Sequence, residues 1–174
     1  MRYIVTALKS EAKPIIEFLK LQKIDDKKFQ IFSNEDTTLI ISNIGKINSA
    51  IATTYLNPTS EDNIINIGIC GATDKKVSTL HKIKKIIDKS SQKVIHLKDN
   101  GESLTCVDTP QNSPNDFKNQ LIDMESFGFY LSAKKFVNKE NIQIFKIVSD
   151  KISDTILTPQ EVEKLIKPHL EDML

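Results

Sequence analysis

Arginine is nearly missing from this chain, because Arg2 is the only arginine among 24 basic residues. Arginine is the side chain that grips phosphate groups through two parallel hydrogen bonds. The charges also balance, with 23 acidic residues and a net charge of +1, and they form no basic run. A protein that binds nucleic acid needs a positively charged surface, so we expect no nucleic-acid partner.

Cysteine and histidine are also scarce. Cys70 and Cys106 belong to no C-x-x-C pair, and the three histidines lie far apart in the sequence. Disulfide frameworks and zinc sites both need such clusters, so we expect neither, and we expect no metal ion and no cofactor. Both cysteines are interpreted as small buried side chains rather than nucleophiles.

Long apolar runs are absent as well. No segment approaches the roughly 18–20 apolar residues that cross a membrane. The first apolar run is too short for a signal peptide and soon reaches an acid at Glu11. We therefore expect a cytoplasmic protein with no membrane partner. With 174 residues, 39% of them hydrophobic, the chain can bury one sizeable core, and we expect one domain over residues 1–174.

Short β-rich runs alternate with helical patterns, which is typical of a layered α/β fold. The expected strands are "RYIVTA", a hairpin of "KFQIFSN" and "TTLIISN", "NIINIGICGA" ending in a glycine-bearing loop at Gly68 and Gly71, "ESLTCVD", "QLIDM" and "IQIFKIVSD". The expected helices cover residues 10–21, "NIGKINSAIATTYL", "ESFGFYLSAKKFV", and a segment from residue 159 towards 170. The segment "HKIKKIIDKSSQKVIHL" fits one amphipathic helix, but its central serine pair favours two strands.

Polar or glycine-bearing stops follow several of these strands. They are Glu11 after the first strand, "NIGK", "GICGA", "DMES", and the "SD" that closes "FKIVSD". In open α/β sheets ligands bind outside the carboxyl ends of the strands. We therefore expect the five stops to meet at one edge of the sheet and to form a binding site.

The ordered set "MRYIVTALKSEAKPI", "ISNIGKINSAIAT", "IINIGICGA", "LIDMESFGFYLSA" and "KIVSD" resembles the purine nucleoside phosphorylase and hydrolase superfamily. It is nearest to the methylthioadenosine/S-adenosylhomocysteine nucleosidase branch. The resemblance implies a three-layer αβα sandwich with a mixed central sheet. It also implies a homodimer or larger homo-oligomer, and cleavage of the N-glycosidic bond of a purine ribonucleoside, its small-molecule partner.

The resemblance assigns roles to particular residues. Asp150 matches the acid that protonates the leaving purine, and Glu11 matches the carboxylate that deprotonates the attacking water. Glu125 matches the acid that holds the ribose hydroxyls, and Met124 the methionine that packs on the sugar. The remaining substrate-binding positions that the motifs imply are Ser149, Cys70, Gly71 and Gly45.

The residues themselves support this chemistry. A purine leaves readily only when a proton reaches its ring nitrogen, so a carboxylic acid must stay protonated near neutral pH through burial or a nearby carboxylate. Asp150 follows the apolar run "IQIFKIV", where burial is expected, whereas Glu11 lies beside Lys9 and Ser10 and is expected in a more polar, ionising position. The cost of burying the Glu125 carboxylate is offset if hydroxyl groups donate hydrogen bonds to it, and Asp123 is then the member of the pair with a structural role.

Two questions stay open from the sequence. Phosphate could replace water as the nucleophile, but the candidate anion contacts are only Lys46 and Arg2, and Arg2 begins the first strand at its far end, so hydrolysis is favoured. Moreover, no aromatic residue occurs between Gly71 and Phe117, where the superfamily carries the aromatic that stacks on the purine, and residues 108–111 are the positional candidates for that pocket. A relative that binds a nucleoside without turnover is therefore the alternative to an enzyme.

Each acid also has an ordinary structural interpretation. Glu125 and Glu11 both suit the first turn of a helix, where the helix dipole favours a negative charge. Asp150 suits a turn cap. The ordered set of motifs, rather than any one acid, favours the catalytic interpretation.

Overall fold

The computed structural model describes residues 1–98, 100–117, 120–152 and 156–174. Ten strands form one mixed sheet. They are β1 (Arg2–Thr6), β2 (Gln22–Ile24), β3 (Gln30–Ser33), β4 (Thr37–Ile41), β5 (Asn63–Ala72), β6 (Leu80–Asp88), β7 (Val94–His96), β8 (Glu102–Cys106), β9 (Leu121–Asp123) and β10 (Ile142–Asp150). The helices are α1 (Lys9–Leu19), α2 (Lys46–Leu56), α3 (Ser126–Ala133), α4 (Pro159–Ile166) and α5 (Leu170–Met173).

The sheet is covered on both faces. Successive strand residues point to opposite sides, so Ile4 and Val5 of β1, both fully buried, belong to different cores. One core joins the sheet to α1, α4 and α5, and the other joins it to α2 and α3. Helices on both faces of a mixed sheet make three layers, as predicted.

The strands run in two sets of opposite direction. The first set, β1, β4, β5 and β10, is mutually parallel, and the second, β6, β8 and β9, is parallel within itself. The sets meet in antiparallel pairs, β6 with β10 and β9 with the last two residues of β5. Strands β5, β10, β6, β8 and β9 thereby close into a ring.

This ring corrects the expectation of a single sheet edge. The stop "DMES" ends β9, which runs against β5, so its side chains do not arrive at an edge shared with parallel strands. They reach the same pocket because the ring curls β9 across the end of β5. Strand direction depends on long-range pairing, which the local sequence pattern does not encode.

Most predicted elements are confirmed, including the hairpin of β3 and β4 and the division of residues 81–97 into β6 and β7. The loop expected at Gly68 and Gly71 is wrong, because β5 continues through both glycines to Ala72. Both glycines are held in the strand by pairing with β10. The short strand β2 was not predicted, since its three residues are exposed and carry no alternating pattern.

Helices α2 and α3 touch at Gly128. A β-carbon built on Gly128 would lie 1.9 Å from the backbone carbonyl oxygen of Lys46, in the first turn of α2. Only glycine permits this approach. The contact keeps the start of α2, with Gly45, against the start of α3, with Glu125.

We expect Gly128→Ala to destabilise the protein by about 1–3 kcal/mol, because the added methyl group forces the two helices apart. Ser132→Ala provides the comparison, since it removes a 2.7 Å hydrogen bond to Thr54 between the same helices without adding an atom. Thermal unfolding of both variants measures the effect. A loss at Gly128 no larger than that at Ser132 would contradict the steric explanation.

Candidate active site

Glu11 is turned inward at the start of α1. It is 2% exposed, and its carboxylate accepts three backbone hydrogen bonds, from the N–H groups of Ala7, Leu8 and Ile69, each at 2.9 Å. Two of these donors belong to the turn before α1 and the third to β5. The side chain is therefore fixed where β1 and β5 end.

The surroundings of Glu11 differ from the polar position that the sequence suggested. Burial raises the pKa of Glu11, and the charge of Lys146 and the three N–H donors offset part of that rise. Asp150, by contrast, is only half-buried. The expected environments of the two acids are thus reversed, because α1 folds its first turn over β5 rather than towards solvent.

Asp123 and Lys146 form a buried ion pair beneath the site. The Lys146 amine lies 2.8 Å from Asp123 Oδ2, and both side chains are at most 1% exposed. Asp123 also accepts hydrogen bonds from the backbone N–H of Ser126 at 2.9 Å and from its hydroxyl at 2.7 Å. Asp123 is therefore fully paired, which agrees with its predicted structural role.

Glu125 shares this acidic environment but keeps fewer partners. It is 7% exposed and accepts the backbone N–H of Gly45 at 2.9 Å and, at 3.3 Å, that of Met124. Burial, and then the negative charge of Asp123, raise the pKa of Glu125 to about 7. The carboxyl group thus has unused hydrogen-bonding capacity facing the pocket.

Lys146 was not anticipated from the sequence. It is 1% exposed in the middle of β10, and a β-carbon on Gly68 would lie 3.4 Å from its amine and 2.9 Å from Glu11 Oε1. Burial lowers the pKa of Lys146, but the carboxylates of Asp123, Glu125 and Glu11 outweigh burial and leave it raised. A single lysine inside the apolar run "IQIFKIV" was the available signal, because a buried lysine requires acidic partners.

Asp150 lies at the end of β10, beside Ser149. Its Oδ2 accepts the Ser149 hydroxyl at 2.6 Å, and its Oδ1 accepts the backbone N–H of Ile152 at 2.7 Å. The same Ser149 hydroxyl lies 3.1 Å from the carbonyl oxygen of Cys70. Asp150 is thus oriented by both its neighbour in the chain and the end of β5.

These side chains surround one cavity of about 340 Å³. Seven of the eight predicted site residues line it: Glu11, Cys70, Gly71, Met124, Glu125, Ser149 and Asp150. The eighth, Gly45, lies behind Glu125 and holds its carboxylate, while Ile44 next to it reaches the cavity. Burial raises the pKa of the Cys70 thiol above its usual range, so it does not act as a thiolate.

The cavity wall is acidic. Among the described residues, four carboxyl side chains line it and no lysine, arginine or histidine does. Lys46, the predicted anion contact, is instead paired with Asp88 and Asp108. Arg2 begins β1 and lines a different cleft.

One side of the cavity is formed by the loop after β8. Val107, Pro110 and Gln111 line it, and we call these three residues the loop wall. Val107 packs in one apolar cluster with Ile152, which is bonded to Asp150, so the loop wall lies on the Asp150 side. No aromatic side chain of the described residues lines the cavity.

The fold of the chain matches that of solved nucleosidases. The chain is similar to Helicobacter pylori 5'-methylthioadenosine/S-adenosylhomocysteine nucleosidase, with a TM-score of 0.79 and 16% identity over 99% of this chain and 96% of that chain. It is also similar to Helicobacter pylori futalosine hydrolase, with a TM-score of 0.72 and 16% identity over 99% of this chain and 91% of that chain. The chain is similar as well to the Neisseria meningitidis nucleosidase in complex with methylthio-immucillin-A, with a TM-score of 0.73 and 13% identity over 99% of this chain and 94% of that chain.

These likenesses confirm the predicted resemblance at the level of the fold. No protein-family model and no curated protein matches the chain. Within the part of the chain that the structure describes, no helix is long and apolar enough to cross a membrane. No cluster of three His, Cys, Asp or Glu side chains there is arranged to hold a metal ion.

Proposed function

We propose that the protein hydrolyses the N-glycosidic bond of a purine ribonucleoside of the methylthioadenosine or S-adenosylhomocysteine type. Asp150 donates a proton to the purine, and Glu11 deprotonates the attacking water. Glu125 accepts hydrogen bonds from the ribose hydroxyls, with Met124 packed against the sugar. The similar solved structures are nucleosidases, which supports a nucleoside as the substrate.

The observation that carries this proposal is the cavity wall, which has four carboxyl groups and no basic side chain among the described residues. Cleavage of the bond develops positive charge on the ribose, and fixed carboxylates stabilise a cation in a site shielded from water. The same carboxylates repel a phosphate dianion. Water is therefore favoured over phosphate as the nucleophile.

Glu11 and Glu125 suit their proposed roles. A base whose pKa is raised by burial binds a proton more strongly once it is ionised, which favours Glu11 as the group that activates water. Glu125 has open acceptor positions towards the cavity, and two ribose hydroxyls supply donors for them. Lys146 balances part of their combined negative charge from below.

Base release from adenosine, inosine, methylthioadenosine and S-adenosylhomocysteine, with and without phosphate, tests the proposal. We expect purine release without phosphate, with the free sugar as the second product. Asp150→Asn protein prepared in parallel serves as the control for contaminating nucleosidases. Release that requires phosphate, with a sugar 1-phosphate as product, would replace the hydrolase with a phosphorylase.

A nucleoside-binding protein without turnover is the second candidate. It is favoured by the lack of an aromatic side chain along the described part of the cavity wall, since such a ring would hold the purine by stacking. Calorimetry with the same nucleosides separates the two. Binding of a nucleoside from which no base is ever released would support the second candidate.

We further propose a homo-oligomer that assembles through α2. Four apolar side chains on α2 and just before it are 39–77% exposed: Ile44, Ile47, Ile51 and Tyr55. The only charged residue within α2 is Lys46, which is paired inward, so the helix itself adds no free charge to this face, which can pack against a second copy of itself. Because Ile44 also lines the cavity, a second copy on this face would close the cavity mouth.

We expect sedimentation velocity to show a dimer or larger species, and Ile47→Asp to weaken it at least tenfold, because a charge would be buried without a partner. Phe18→Asp is the control, since Phe18 is 46% exposed on α1, in the opposite layer. A monomeric wild-type protein, or an unaffected Ile47→Asp oligomer, would rule out this interface.

A further inference from the structure

One amine joins three elements beside the cavity. Lys46 is the first residue of α2, and its Nζ pairs with the buried Asp88 at the end of β6. The same Nζ lies 2.8 Å from Asp108 Oδ1, two residues after β8 ends. The Lys46 side chain is 14% exposed, whereas that of Asp108 is 59% exposed. The pair therefore connects a nearly buried amine to an exposed loop.

Asp108 is the last anchored residue before Pro110 and Gln111 of the loop wall, whereas Val107 is held separately by its backbone N–H, which donates to the Asp123 carbonyl at 2.8 Å. Ser90 donates a second hydrogen bond to the Asp108 carboxylate. Beyond Asp108, the side-chain amide of Gln111 donates back to Thr109. The other hydrogen bond described for residues 109–113 runs from the backbone N–H of Asp116 to the carbonyl oxygen of Ser113. Past Asp108, therefore, no described hydrogen bond ties residues 109–113 to another strand or to a helix of the sandwich.

Each partner also stands close in sequence to a residue that lines the cavity. Lys46 is two residues from Ile44, and Asp108 is two residues from Pro110, and both Ile44 and Pro110 line the cavity. An ion pair between Lys46 and Asp108 thus sets how far the loop wall stands from the start of α2.

We infer that Lys46 is a positioning residue that holds the loop wall, through Asp108, in the place where it contacts the purine base. This inference rests on the proposed function, because it assigns the base to the Asp150 side of the cavity. If the loop occupies its binding position in only a fraction of the molecules, the apparent affinity for the ligand falls in proportion to that fraction. Neither partner touches Asp150 or Glu11, so the effect falls on substrate binding rather than on the chemical step.

Asp108→Asn is the variant that tests the pair, because it removes one charge and leaves the buried Lys46–Asp88 pair intact. Glu102→Gln is the matched control. Glu102 is 41% exposed and pairs with Lys75 at 3.0 Å, and it does not line the cavity. Cleavage of the loop of residues 107–113 by a broad-specificity protease is measured without ligand, and KM and kcat are measured on whichever nucleoside is cleaved.

We expect Asp108→Asn to accelerate proteolytic cleavage within residues 107–113 alone and to raise KM about fivefold, with kcat within twofold of wild type. The control should change neither. Unchanged loop cleavage and KM in Asp108→Asn, or equal changes in the control, would overturn the inference while the hydrolase stands. If wild-type protein cleaves no nucleoside, the proposed function fails, and the inference fails with it, because no base then contacts the loop wall.

Discussion

Asp150→Asn is expected to reduce cleavage by about 10²–10⁴-fold while substrate affinity changes little. Loss of a general acid typically costs this much. Asparagine keeps the shape of the side chain and an oxygen for the Ile152 N–H, so the loop geometry is preserved, but its amide cannot deliver a proton to the purine. Steady-state kinetics and calorimetric binding on the same preparation separate the two quantities.

The leaving group distinguishes a proton donor from a structural residue at position 150. A p-nitrophenyl riboside needs no protonation to leave, so Asp150→Asn should retain far more activity on it than on a purine riboside. A structural defect would lower both rates together. Full purine-cleaving activity in Asp150→Asn would eliminate Asp150 as the acid.

Glu125→Gln is expected to lower kcat/KM on ribonucleosides by about 10²-fold or more. A carboxylate that accepts two hydroxyl hydrogen bonds is replaced by a neutral amide, and hydrogen bonds to a charged partner contribute roughly 1.5–3 kcal/mol each. On the 2'-deoxy analogue one of these bonds is already missing, so the substitution should cost less there. Equal losses on both substrates would show that Glu125 does not contact the 2'-hydroxyl.

The same substitution should stabilise the protein at alkaline pH. The folded-state pKa of Glu125 is raised to about 7, so the fold favours the protonated carboxyl. The stability that the protonated Glu125 carboxyl contributes is fully present below the pKa of Glu125 in the unfolded chain, and it is lost as pH rises through about 7. Glutamine stays neutral, so at pH 8 Glu125→Gln should exceed wild type by on the order of 2–3 kcal/mol, and at pH 4 the two should nearly coincide.

Chemical denaturation of both proteins between pH 4 and 8 measures this difference, in which the titration of other groups largely cancels. Glu163→Gln is the control, because Glu163 forms a side-chain pair with Lys13 at the surface, at 2.8 Å. A difference that does not grow with pH would show that Glu125 is already ionised in the fold.

The site illustrates where sequence reasoning stops. Glu11, Glu125 and Asp150 were predicted because each follows a recognisable strand within an ordered set of motifs. Lys146 was not, since a lysine inside a strand does not show which acids will be its partners, and the loop wall was indicated only by position, at residues 108–111. The environment of Glu11 was mispredicted for the same reason, because its polar neighbours in sequence are not its neighbours in space.

The sequence alone determined the layered α/β architecture, since consecutive apolar residues such as Ile4 and Val5 specify a strand that is buried on both faces. It also determined which residue types the site would contain. Only the tertiary structure decided that β9 runs against β5 and that Lys146 lies beneath three carboxyl groups. Direction, burial and charge pairing arise from contacts between residues distant in the chain, and these set the pKa values on which the proposed chemistry depends.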